Sequence, residues 1–323
     1  MELQPKFYRL EQKISDLRQF SEVGVTDAKE CGLSSLNELF LLKKGYPLFI
    51  GGNPFSGKSE FALEIMVNTS IMYGWKHFVY CGEGGNVENI FAEIFHKVAG
   101  KSYKYCEEKE KVSHEYFVNE HFVIANHDLD FTVDEFYETV DNAERELNIK
   151  FDTTLFDPFN DIVDESSKYN GREDKFLADA LKKVRISSKK NNRIDMIINH
   201  IADVRRVKDD SSGNFYTPPA LPNEWAGGRT WWRRAFTMIL IYRYPTFINK
   251  ENGTPYEENE TVVFVQKAKP KGVGKVGRAS IFWDWKRNRY YSFDEVGNKL
   301  YSCEKPQTQL TPNTNFFEDD TPF

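Results

Sequence analysis

Residues 52 to 59 read Gly-Asn-Pro-Phe-Ser-Gly-Lys-Ser, so Gly52, Gly57, Lys58 and Ser59 satisfy the spacing G-x-x-x-x-G-K-[ST]. Each residue type has a role in gripping a polyphosphate. Glycines let backbone N–H groups crowd around phosphate oxygens, and the positive end of a following helix adds to their field. Lys58 would reach the outer phosphates of a nucleotide such as ATP, and the Ser59 hydroxyl would ligate Mg²⁺. Asn53, Pro54, Phe55 and Ser56 would form the cradle wall between the glycines. The competing reading is a chance glycine turn before an ordinary helix, and that reading has no need of a lysine and a hydroxyl at those two places.

A phosphate cradle needs an acid to organise Mg²⁺, a group to orient the attacking water and a sensor of the γ-phosphate. Three polar residues stand where short apolar runs end: Glu83 after HFVYCG, Asp157 closing TTLFD, and His200 closing IDMIINH. In open parallel sheets, ligand-binding groups gather at such carboxyl ends. Asp157 fits the Mg²⁺-organising acid, with a simple strand-end cap as its alternative. Glu83 fits a base that polarises water. His200 would report the γ-phosphate to the loop after it, although a lone strand-end histidine is as often structural.

The elements that must position these residues can be read from periodicity. Tyr46 to Ile50 is an apolar run of strand length, and Phe61, Ile65 and Ile71 or Met72 give the next segment one buried helical face. Helical patterns over 87–98, 132–147 and 174–190 alternate with strand-like runs over 77–82, 121–126, 153–157 and 194–200. Thr132, with Glu135 three residues on, marks one helix start. Strands and helices alternating in this way predict an α/β fold, a mostly parallel sheet with helices on both faces. Residues 31–45 read as a capped helical turn, and the Lys- and Glu-rich stretch after the 87–98 helix as a polar region without a core face. Residues 161–174 and 203–224 read as polar loops. Beyond them FTMILIYR, TVVFVQKA, RASIFWDW and RYYSF predict an antiparallel extension of the sheet. Residues 9–22 carry Leu10, Ile14, Leu17 and Phe20 on one helical face, which either folds back on the core or docks on a neighbouring subunit.

Composition bounds the classes. The 323 residues are 40% hydrophobic and 28% charged, the balance of an ordinary globular protein. No apolar run approaches the roughly 18 to 20 residues a membrane helix needs, and nothing suggests a membrane partner. The N-terminus lacks the apolar core of a signal peptide, so the cytoplasm is the default expectation. Four cysteines without paired spacing suggest reduced thiols, and the six histidines form no metal-ligand cluster. A formal net charge of −6 argues against a generally basic nucleic-acid coat. It leaves room for local basic regions, such as Lys267 to Arg278 with five cations and no acid.

The order of phosphate loop, Glu83, Asp157, His200 and then a basic β-hairpin resembles the RecA-type core of hexameric replicative helicases. Similar are the DnaB family, the phage primase–helicases, mitochondrial Twinkle and the plasmid RepA-type helicases. The resemblance spans residues 25 to 295. It implies a RecA-like P-loop NTPase core that hydrolyses ATP or another NTP with Mg²⁺ at the interfaces of a homo-oligomeric ring, translocating on single-stranded DNA in replication. Glu83 would then be the catalytic glutamate and Asp157 the second-motif aspartate, while His200 matches a position where some members carry histidine and others glutamine. Arg205, Arg206 and Lys208 would contact DNA phosphates, unless they belong to a merely solvated loop. Trp231 and Trp232 would either stack on bases or pack against the sheet. Where the helicases place a K-x-R pair that serves the neighbouring subunit's nucleotide, this chain has Lys267 and Lys269. RecA recombinases use K-x-K there, so a filament-forming recombinase-type ATPase is the alternative. A non-catalytic adaptor is a third reading.

The last residues, NFFEDDTPF, resemble the acidic tip of bacterial single-stranded DNA-binding proteins. Asp319, Asp320 and Phe323 would dock on a replication partner such as a DNA polymerase. The expected organisation is an N-terminal helical segment over 1–24, a core over 25–303 and an acidic tail over 304–323.

Overall fold

Apolar runs with no polar alternation suit strands covered on both faces, and the central strands are of that kind. In a computed structural model that describes residues 7–25, 27–202, 204–294 and 297–302, Leu48–Gly52 (β1) and His77–Cys81 (β2) are buried at every position. Phe122–Ile124 (β3), Thr153–Asp157 (β4), Ile194–His200 (β5) and Thr237–Tyr242 (β6) complete a parallel set. Glu260–Lys267 (β7), Gly277–Asp284 (β8), Arg289–Phe293 (β9) and Lys299–Tyr301 (β10) add the expected antiparallel extension. The ten strands form one sheet in the order β10-β9-β8-β7-β6-β1-β5-β4-β2-β3. The tail residues Asp319, Asp320 and Phe323 lie outside the described residues.

The helices are Ile14–Val23 (α1), Lys58–Tyr73 (α2), Val87–Ala99 (α3), Glu108–His121 (α4), Val133–Leu147 (α5), Glu173–Asn191 (α6) and Arg229–Arg234 (α7). They cover both faces, and β1 shows how the strand period divides the core between them. Leu48 and Ile50 pack with Phe61 and Ile65 of α2, whereas Phe49, pointing the other way, packs with Phe136 of α5, Leu181 of α6 and Trp231 of α7.

Several local expectations change. The second helix, read as amphipathic, is buried on all sides from Phe61 to Ser70, while Ile71 is 42% exposed. Its outer side is covered by the antiparallel extension, whose Arg289 binds Glu64 and Asn68 on α2. The polar stretch after α3 contains α4, held by a reciprocal cap between Glu107 and Glu110 and burying only Val118. With one buried apolar residue it gives no amphipathic signal. Residues 31–45 hold a short 3₁₀ turn at Ser34–Leu36 and a strand Leu42–Lys43 paired with Ala28–Lys29. Within 203–224, Val207–Lys208 pairs with Phe215–Tyr216 as a small hairpin. On the α1 segment, Leu10, Ile14, Leu17 and Phe20 are 62%, 40%, 48% and 44% exposed, which disfavours the fold-back reading.

Candidate functional site

The phosphate loop connects β1 to α2 and is built around two glycines. A Cβ on Gly52 would lie 2.4 Å from Ser56 Oγ and 2.6 Å from the Ile241 carbonyl, so only hydrogen fits. Gly57 has φ +90°, and a Cβ there would meet the Tyr290 hydroxyl at 2.7 Å. Phe55, at the tip, is also left-handed with φ 61° and is 96% exposed. A bulky residue held in that region costs on the order of 1 kcal/mol and characteristically marks a ligand-binding turn.

The loop fits a polyphosphate on its own evidence. Ser56 Oγ is buried and makes no hydrogen bond among the described residues, an acceptor-seeking hydroxyl inside the cradle. Lys58 is almost buried and its Nζ donates to the Asn53 carbonyl at 3.0 Å, across the loop. Burial pushes its ammonium below the usual range, against the pull of Asp157 and Glu83. An anion in the cradle would restore the charge that burial disfavours.

Register aligns the other residues along the same edge. His200 pairs directly with Gly52 across β5 and β1, and Asp157 pairs with Cys81 across β4 and β2. Asp157 is only 3% exposed, and burial raises its carboxyl above the ordinary range. Hydrogen bonds to Ser59 and Cys81 and the charge of Lys58 oppose that shift, while Glu83 reinforces it. A buried carboxylate next to the Ser59 hydroxyl is the donor set that a hard divalent cation favours. Glu83, on the turn after β2, is largely exposed and its Oε1 lies 3.3 Å from His200 Nε2. Lys58, Ser59, Glu83, Asp157 and His200, expected from four separate stretches, therefore occupy one edge of the sheet.

Other expected residues lie elsewhere. Lys267 pairs with Met238, which is level with Phe49, and Lys269 continues away from Gly52. The lysine pair is thus at the end of the sheet opposite its own phosphate loop. Lys267 donates to the Trp232 carbonyl and sits 4.9 Å from the Trp232 ring, whereas Lys269 is exposed and makes no side-chain hydrogen bond or ion pair among the described residues. Trp231 is fully buried against Phe49 of the sheet, as the packing reading expects, while Trp232 is 41% exposed beside Lys267. Arg205, Arg206 and Lys208 are exposed around the small hairpin, with Arg206 donating to the Phe215 carbonyl at 3.0 Å.

Three residues at the edge were missed. Cys81 donates from Sγ to Asp157 Oδ2 at 3.4 Å. Arg243, one residue past β6, donates from Nε to Thr261 Oγ1 at 3.3 Å beside the loop. It closes the apolar run FTMILIY, so the strand-end reasoning used for Glu83, Asp157 and His200 would have found it. Asp161 lies against Gly82, a contact no sequence signal carries.

No protein-family model matches the sequence, and no curated protein matches it. Among solved structures the chain is similar to an ATPase domain, with a TM-score of 0.68 at 13% identity over 88% of this chain and 99% of that one. It is also similar to a DnaB-like replicative helicase studied with primase, with a TM-score of 0.63 at 13% identity over 88% of this chain and 67% of that one. The shared feature is the fold, an α/β RecA-like core.

Proposed function

We propose that this chain is an NTP-hydrolysing DNA helicase of the DnaB type, acting as one subunit of a ring. The observation that carries the reading is the gathering of Lys58, Ser59, Asp157, Glu83 and His200 at one edge of a fold shared with a replicative helicase. Lys58 and the loop amides would hold the β- and γ-phosphates. Ser59 and Asp157 would hold Mg²⁺, which when bound supplies positive charge against the phosphate oxygens. Glu83 would accept a proton from the attacking water, and His200, in contact with Glu83, would carry the change at the γ-phosphate into residues 201–224.

The position of the lysine pair supports hydrolysis between subunits. Lys269 lies away from its own site and is unengaged among the described residues, as a cation serving a neighbour would be. The exposed apolar face of α1 is a candidate docking element for that neighbour. Arg205, Arg206 and Lys208, exposed and clustered, suit phosphates of single-stranded DNA. The test of the whole reading is Lys58→Ala. Hydrolysis of ATP should fall to background while thermal stability stays near wild type; unchanged turnover would refute the assignment.

A recombinase-type filament is the second reading, favoured by lysine rather than arginine at position 269. Particle shape with nucleotide and single-stranded DNA separates the two, closed rings against open helical filaments.

A further inference from the structure

A carboxylate at the phosphate edge has no role in the chemistry above. Asp161 ends the 3₁₀ turn Phe159–Asp161 that follows β4, and its N–H donates back to the Pro158 carbonyl at 3.1 Å. Its side chain rests on the Cα of Gly82: a Cβ at that position would come within 2.4 Å of Asp161 Oδ2 and 3.1 Å of the Tyr80 hydroxyl. The other side of Gly82 is fixed as well, since its N–H donates to the Asp157 carbonyl at 2.8 Å. The next residue is Glu83. Among the described residues the Asp161 carboxylate makes no hydrogen bond or ion pair, so it is held by shape against this glycine.

We propose that Asp161 is a positioning residue for Glu83, transmitting the state of the loop over residues 158–172 through Gly82 to the water-polarising carboxylate. The inference rests on the helicase reading and extends it, setting single-stranded DNA against that loop as well as against Arg205, Arg206 and Lys208. Neighbouring carboxylates oppose each other's charge, and the surroundings of Asp161 show it. Burial and the neighbouring Glu83 push the Asp161 carboxyl up, His200 pulls it down, and Asp130 adds to the rise. A shift of the loop that withdraws Asp161 therefore alters both the field at Glu83 and the backbone freedom of the residue before it. Gly82 is the point of contact, which explains why a side chain is missing there.

The experiment is hydrolysis by the full chain with and without single-stranded DNA, alongside binding of a fluorescent nucleotide analogue. Asp161→Ala and Gly82→Ala should each lower the ratio of DNA-stimulated to basal turnover roughly tenfold and leave nucleotide affinity within about twofold of wild type. The double variant should lose no more than either single one, because both break the same contact. Should Asp161→Ala fail to fold, Asp161→Asn keeps the shape, removes the charge and should lower the ratio about threefold. An unchanged ratio, or losses that multiply in the double variant, would overturn the proposal. So would a wild-type chain that hydrolyses ATP equally with and without DNA, an outcome that leaves the ATPase reading intact. A wild-type chain with no hydrolysis at all would sink that reading itself.

Discussion

Lys58 and Asp157 are both nearly buried, and burial works against the charge of each. Their mutual attraction offsets only part of that cost, and an anion beside Lys58 together with a cation beside Asp157 would offset the rest. Glu83 is different, since it is mostly exposed and touches His200. In the proposed function its role is in the chemical step rather than in binding. Glu83→Gln should therefore retain nucleotide affinity and lose about 10²- to 10⁴-fold in turnover, read by binding titration and single-turnover hydrolysis. Equal losses in both would mean that Glu83 holds the nucleotide instead. At this scale the residues gathered at the edge were legible in the sequence, Lys58 and Ser59 from the spacing of the glycine loop and Glu83, Asp157 and His200 because each closes a local run. Cys81 and Asp161 were not, because what makes them relevant is a neighbour 76 or 79 residues away.

At the scale of elements, α2 is the part on which the site depends, and polar side chains fix it from two directions. From the sheet side, His77 at the start of β2 bonds Ser70 on α2 at 2.8 Å and Thr153 on β4 at 2.6 Å. From the outer side, the buried Glu64 receives Arg289 Nε at 2.8 Å, and Lys97 from α3 lies 2.8 Å from Glu60 and 3.6 Å from Glu64. Such a buried network costs desolvation but makes loss of any one partner expensive, about 3–5 kcal/mol. His77 adds a pH dependence. Burial, with His121 and Lys44 nearby, lowers its pKa from 6.5 to about 3, whereas the unfolded chain takes up a proton near the ordinary value. Its contribution to stability is thus fully present above pH 6.5 and is lost as the pH falls toward 3, at about 1.4 kcal/mol per unit. Thermal unfolding should show a midpoint that drops between pH 7 and 5, with a shallower slope in His77→Gln. An identical slope in the variant would assign the effect to other groups. The histidine's role was invisible in the sequence, where it is only the first letter of an apolar run.

At the scale of the molecule, the two ends of the sheet carry what the proposed function makes two halves of one site. The phosphate loop, Glu83, Asp157 and His200 lie at one end, Lys267 and Lys269 at the other, and a single chain cannot bring them together. Lys269→Ala and Lys58→Ala should each be inactive alone. Mixed in equal amounts they should regain turnover, since roughly a quarter of head-to-tail interfaces would pair an intact Lys58 with an intact Lys269. No recovery, despite co-assembly seen by mass measurement, would show that Lys269 does not act across the interface. A lysine point charge in place of an arginine fork also predicts slower hydrolysis than a K-x-R pair would give.

The sequence alone determined the phosphate loop, the alternating strands and helices, and the strand-end residues, because these depend on backbone preferences and burial within a few neighbouring positions. Glycine spacing sets the cradle, and an apolar run followed by a polar residue sets a strand and its edge. Only the tertiary structure decided which strand ends stand side by side, that Trp231 is core while Trp232 is exposed, and that the polar stretch after α3 is helical. It also decided that Asp161 rests on Gly82 and that the lysine pair faces away from its own cradle. Apart from the helix after α3, those outcomes follow from strand order, which brings β1 between β6 and β5 and sets residues far apart in the chain against one another, and no local pattern encodes that order.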